Sequence, residues 1–223
     1  MGITQTPLPG HDAAAIGIAA FAVVYAKSLW SLAKHFEVMA HEGMHAITAT
    51  ILGIRVRSIE LKRTGDGSTS YRVPALGGKG VLTGFVGYLG PSIFGLAAAG
   101  LISLGYIVAV LWLTVVFLVV LLWTLLRSFR YARSFGCLSV PVTMALFFAL
   151  IHYASVSVQV VLAYGVTWVL LLSGFKIAVE HWTGAGDAAN LKLRTHLPRW
   201  LWAVLWVAGT LGAVYLGWRL LVM

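Results

Sequence analysis

The chain has 223 residues, 60% of them hydrophobic and only 10% charged. Soluble domains carry roughly a quarter charged residues, so an ordinary water-soluble fold is excluded and a multi-span membrane protein is expected. The net charge of +9 raises nucleic acid as a partner, but no aromatic-basic repeat accompanies it and none is expected. The single cysteine, Cys137, excludes an internal disulfide and a cysteine-rich metal site, which leaves histidine and carboxylate as the metal-binding chemistry.

Met1 to Asp12 holds no basic stretch and no small-residue cleavage site, so no cleaved signal peptide is expected. Apolar runs predict helices near 13–33, 36–53, 80–104, 106–126, 138–154, 157–179 and 200–221. Several approach the roughly 20 residues that a spanning helix needs. The first two segments could also form one broken helix. Between Ile54 and Gly80 the pattern changes: Arg55 to Lys62 alternates polar with apolar, Thr64-Gly65-Asp66-Gly67-Ser68 has turn chemistry, and Tyr71-Arg72-Val73 could return as a second strand. A small β-hairpin at the membrane surface fits this pattern, with an edge open to an extended peptide; a plain basic loop fits it equally. The expected fold is one all-α integral-membrane domain over 1–223, a bundle of about six to seven transmembrane helices with a hairpin inserted at 55–79 on the cytoplasmic face.

Three loops, 55–79, 127–133 and 176–199, hold 13 of the 16 Lys and Arg residues. Seven spans put these loops on one side, which the positive-inside rule makes cytoplasmic. The expected location is the bacterial cytoplasmic membrane, with a cytoplasmic N-terminus and an outside C-terminus.

His41-Glu42-Gly43-Met44-His45 carries the chemistry. Residues four apart share a helix face, so His41 and His45 can offer two imidazoles to one tetrahedral zinc. Glu42, one step round, can accept a proton from water at that metal. A chance occurrence is the competing explanation, and the scarcity of charged residues in this chain weighs against it. A rise of 1.5 Å per residue, along a helix taken as perpendicular to the membrane, puts the pentad roughly 12–18 Å below the cytoplasmic end of its helix.

A catalytic site needs a third protein ligand. Only seven acidic residues exist. Asp187 stands out in Gly184-Ala185-Gly186-Asp187-Ala188-Ala189-Asn190, where small residues allow close helix approach on the side toward which the pentad is displaced. A helix N-cap or a solvated loop acid is the alternative for Asp187. Glu37 shares the face of His41 and could support its ring, Asp66 has normal turn usage, and Glu180-His181 suits either the site's margin or a helix end. His152 is more simply a hydrogen-bonded intramembrane histidine. Gly84, Gly87 and Gly90, followed by Pro91, give a face for tight helix contact; opening a wet cavity beside a metal is the functional alternative.

The runs Phe36 to Ala46, Gly53-Ile54-Arg55-Val56, Gly87-Tyr88-Leu89-Gly90-Pro91, Gly186-Asp187-Ala188-Ala189 and Thr195 to Trp200 resemble the site-2 protease clan of intramembrane zinc metalloproteases, and more closely a bacterial peptidase-like branch of it. The resemblance covers about Phe36 to Trp206. It implies a Zn2+ cofactor held by His41, His45 and Asp187, Glu42 as catalytic base, and cleavage of membrane-protein substrates within or beside the bilayer. Well-studied members carry Asp-Gly where this chain has Asp187-Ala188. Two alternatives come from other classes: an inactive member of the fold that binds or regulates partners, and a metal-handling transporter. The absence of a second copy of the pentad region counts against transport.

Overall fold

A computed structural model describes residues 4–72, 77–127, 135–181 and 186–223. Among them eight helices and two strands follow in order: α1 (Gly10–Tyr25), α2 (Lys27–Ile51), β1 (Val56–Leu61), β2 (Gly67–Tyr71), α3 (Gly77–Ser103), α4 (Ile107–Leu126), α5 (Gly136–Tyr153), α6 (Val156–Glu180), α7 (Asp187–Thr195) and α8 (Arg199–Val222). Val73, Arg130, Arg133, Gly184 and Ala185, which entered the sequence argument, lie outside the described residues. Five helices, α3, α4, α5, α6 and α8, are long and apolar enough to cross a membrane, and the α1–α2 pair supplies at most a sixth crossing. The protein is a helical, multi-pass membrane protein with a small hairpin.

α1 and α2 are bent by 97° at Ala26, whose extended backbone (φ −75°, ψ 119°) ends one helix and begins the next. No glycine or proline marks the break, so the sequence placed it several residues too late. α1 runs beside α6 in the same direction. Leu8 N donates to the Tyr164 hydroxyl at 2.9 Å, Trp168 Nε1 donates to Ala13 O at 3.0 Å, and Lys176 Nζ lies 5.5 Å from the Tyr25 ring. α2 then turns across the bundle instead of returning beside α1.

This geometry corrects two expectations. Gln5 N donates to Gly105 O at 2.8 Å in the α3–α4 turn, and Gly10 abuts the Val222 carbonyl at the end of α8. α3 begins at the hairpin end, where Lys79 Nζ reaches Leu52 O at 2.9 Å, and finishes at that turn. Both chain ends therefore lie opposite the hairpin, and the N-terminus is not on the side of the basic loops. The depth of the pentad also cannot be counted along α2. It is set by α3, where Gly87, against the two imidazoles, lies about 15 Å along the helix from Gly77.

β1 and β2 pair antiparallel with Ile59 opposite Thr69 and Leu61 opposite Gly67. Ile59 and Leu61 are fully buried in an apolar cluster with Val38 and Met39 of α2, Leu118, Leu121 and Leu125 of α4, and Val140 of α5. Burial of a Leu or Ile side chain contributes about 1.5–3 kcal/mol, so these two residues anchor the hairpin to the bundle. A second cluster joins Tyr88 of α3, Ala188 and Leu191 of α7, and Trp202 and Trp206 of α8. The site lies where α2, carrying the first cluster, meets α3 and α7, carrying the second.

Candidate metal centre

His41 and His45 stand one turn apart on α2 and turn their Nε2 atoms to within 3.2 Å of each other. Asp187, 142 residues beyond His45, brings Oδ2 to 3.2 Å from His45 Nε2 and 3.4 Å from His41 Nε2. These are the three residues whose ligand atoms could hold one metal ion among the described residues. Thr83 O lies 2.7 Å from His45 Nδ1. A carbonyl can only accept, so Nδ1 carries a proton and Nε2 is the ring atom turned to the carboxylate. Three such close donor atoms need a positive charge among them, whether a proton or a metal ion. Burial pushes the Asp187 carboxyl up, but its contacts with His41 and then His45 more than reverse this and hold it well below the usual carboxylate range.

Two glycines of α3, Gly87 and Gly90, make the approach possible. A Cβ on Gly87 would collide with His45 Nε2 and stand 2.9 Å from His41 Nε2; one on Gly90 would stand 2.7 Å from Met44 Cβ. One on Gly84 would meet Leu191 of α7 at an ordinary 3.4 Å. The glycine face is thus the seat of the pentad helix, which joins its packing role to the site. Next to it, Tyr88 sets its ring edge-on to His41 at 4.9 Å between centroids and stacks on Trp206 at 4.2 Å.

Asp187 is the first residue of α7, and Gly186 before it has φ +89° and ψ −136°, a region that glycine enters without strain. Ala188 is buried against the α3 and α8 cluster. The glycine that aims the aspartate precedes it.

Glu42 is buried and accepts a hydrogen bond from Thr69 Oγ1 of β2 at 2.6 Å. Gly67, two residues earlier, lies so close that a Cβ there would stand 2.7 Å from Glu42 Oε1. The hairpin thus closes over Glu42. Glu37 Oε1 is 4.0 Å from His41 Nδ1, beyond hydrogen-bond length but in position to orient the ring. His181 Nδ1 lies 3.1 Å from Ile177 O of its own helix, with its ring 5.6 Å from that of Tyr88, and Glu180 pairs with Lys176 at 3.1 Å. Asp66 pairs with Lys34 at 3.0 Å, and His152 stacks on Phe148; neither belongs to the cluster. Thr83 and Thr69 escaped the sequence reading, and Tyr88 entered it only within the run Gly87-Tyr88-Leu89-Gly90-Pro91, with no role of its own. Thr83 acts through its backbone, and the other two act through contacts between elements, so no local pattern announces them.

A multi-pass bundle in which one transverse helix presents two imidazoles to a remote carboxylate defines a membrane protein with a buried metal-binding geometry. Residues 14–217 match the Peptidase M50B-like family, and the chain belongs to this family, a site-2 protease family. No curated protein and no protein of known structure matches the chain.

Proposed function

We propose that the protein is an intramembrane zinc metalloprotease that hydrolyses peptide bonds of membrane-embedded substrates. The observation that carries this reading is the convergence of His41 Nε2, His45 Nε2 and Asp187 Oδ2, with the tautomer of His45 set by Thr83 O. Two imidazole nitrogens and a carboxylate oxygen suit zinc, and three protein ligands leave a position for solvent or substrate. Zinc held there supplies a Lewis acid for the scissile carbonyl and makes water deprotonable near neutral pH.

The chain's own residues provide the rest. Glu42 takes the proton of the attacking water and passes it to the departing amide nitrogen. The hydrogen bond from Thr69 holds its carboxylate in one orientation and ties the base to the hairpin. A helical substrate shields its carbonyls with its own hydrogen bonds, so it must open locally before attack. β1 and β2 form a two-stranded sheet, and strand addition at its edge would hold the opened segment whatever its side chains. Gly67 and Thr69 place β2 directly against the base.

The hairpin end is read as cytoplasmic in a bacterial inner membrane, because the three loops rich in Lys and Arg flank that end. Both termini then face the opposite side.

The test is Glu42→Gln in purified, reconstituted protein, with cleavage of a labelled transmembrane peptide and bound metal both measured. Loss of a general base costs about 10²–10⁴-fold in rate, while the ligand set is untouched. A variant that keeps wild-type cleavage with metal still bound would remove hydrolysis through Glu42 from consideration.

A further inference from the structure

An opening lies on the other side of the pentad helix. It is a groove of about 810 Å³ between the C-terminal half of α2, β1 and α4. Its wall on α2 comprises Gly43, Ala46, Ile47 and Thr50, a face half a turn round from His41 and His45. The groove therefore backs onto the metal centre without opening into it. Its floor is apolar, formed with Phe117, Val120 and Leu121 of α4. Val120 and Trp123 stay more than half exposed along the same edge of α4.

The mouth has a different chemistry. Arg55, Arg57 and Arg72 of the hairpin and Arg127 after α4 line it, all four exposed and none in an ion pair among the described residues. Arg72 N donates to Arg55 O at 2.9 Å, which keeps two of the four side by side just beyond the open ends of β1 and β2. The Arg127 guanidinium lies 4.8 Å over the Trp123 ring. Exposed Trp paired with Arg is the signature of the headgroup level of a bilayer. Among the described residues no Asp or Glu lines the groove, so none of them would pair with the cation of a zwitterionic headgroup.

We propose that this groove is a binding site for an anionic phospholipid, with its phosphate among Arg55, Arg57, Arg72 and Arg127 and an acyl chain laid along α2 and α4. Basic pockets between transmembrane helices hold acidic lipid headgroups by this combination of charge and apolar wall. The volume falls within the roughly 300–1,000 Å³ typical of small-molecule sites. A lipid seated there braces the pentad helix from behind, on the face where Gly43 closely meets Phe117. A protein substrate entering toward His41 and His45 has no use for that face.

The test is equilibrium binding of phosphatidylglycerol, phosphatidylcholine and the soluble glycerophosphoglycerol headgroup to the purified full chain in detergent, read by native mass spectrometry. Phosphatidylglycerol is expected to bind at least about 10-fold more tightly than phosphatidylcholine. The Arg55→Gln/Arg127→Gln double variant should weaken phosphatidylglycerol roughly 10- to 30-fold, whereas the charge-matched Lys62→Gln/Arg63→Gln control, outside the groove, should not. Val120→Trp, at an exposed position, fills the floor and should weaken the lipid with every arginine in place. The proposal is overturned if the two lipids bind equally, if the double variant binds phosphatidylglycerol no more weakly than the control does, or if the soluble headgroup binds as well as the lipid. Displacement of bound lipid by an acidic peptide at lower concentration would assign the groove to a protein partner and overturn it too. Should the double variant fail to elute as folded protein, Val120→Trp and the salt dependence of wild-type binding decide alone: unchanged affinity in both refutes the site.

Discussion

The two arms of the candidate metal centre are built on different physics. His41 and His45 sit on one 25-residue helix, four apart, so their juxtaposition follows from helical periodicity before any tertiary contact forms. Asp187 reaches the same point from a nine-residue helix far along the chain, aimed by a single glycine and held by Ala188 and Leu191. One arm is rigid and local, the other depends on packing. Changes to the first should abolish the centre, and changes to the second should loosen it.

The largest effect is expected from the ligands themselves. His45 Nε2 touches both other donors, so His45→Ala should reduce bound zinc to background. Asp187→Ala leaves the imidazole pair intact and should bind zinc more weakly, by at least about 100-fold, since even outer-shell changes cost 10–100-fold. Metal content after dialysis against graded zinc buffers separates the two variants. Full retention of affinity in Asp187→Ala would show that the remote arm does not ligate.

The next effect sharpens the local arm. Gly87→Ala puts a methyl group into both imidazoles, and overpacking of this kind costs typically 1–3 kcal/mol. Gly84→Ala, one turn back on the same face, meets only Leu191 at contact distance. The first should lose zinc and thermal stability, and the second should keep both. Equal behaviour would mean that the close seating of α2 on α3 does not hold the ligands.

That contrast shows where the sequence is legible. The imidazole pair, its base and the glycine face are periodic features, and periodicity can be read from one chain. Asp187 was findable because acids are few and its neighbours small. The bend was legible only as a possible broken helix and not in its place at Ala26, because no breaker residue marks it and the partners of the two halves, α6 for α1 and α3 for α2, lie far along the chain. The side of the N-terminus failed with it, since treating α2 as a returning span adds one crossing and reverses the parity. α7 was hidden for a related reason: it is a short polar helix whose buried residues, Ala188 and Leu191, make sense only against Tyr88 and Trp206.

A smaller effect tests the remote arm without touching a ligand. Gly186→Ala forces a side chain into a backbone region that costs about 1–3 kcal/mol. The strain falls on Asp187 alone, so zinc affinity should drop roughly 10-fold while the imidazole pair keeps its geometry. Zinc titration beside a histidine-sensitive spectroscopic readout, such as the absorption of bound cobalt, checks both halves of this statement. An unchanged affinity would show that α7 can aim its carboxylate from another backbone conformation.

The smallest effect lies at the hairpin tip, where Lys34 of the pentad helix bonds Asp66 at 3.0 Å. The hydrogen bond from Thr64 and then that from Lys34 hold the Asp66 carboxyl below its ordinary value. A carboxyl depressed in the folded state adds stability above its unfolded pKa, about 3.9, and that contribution disappears as pH falls through the lower folded value. The pair is solvent-exposed, so its worth at neutral pH is at most about 1 kcal/mol. Asp66→Asn should therefore melt slightly below wild type at pH 7, with the gap closing as pH falls below about 4. Because Lys34 is on the helix that bears both imidazoles, while Asp66 is on the hairpin that covers Glu42, this pair ties the ligands to the base. Breaking it should lower cleavage more than it lowers zinc binding, and a larger loss of zinc than of cleavage would place the tether on the metal side instead.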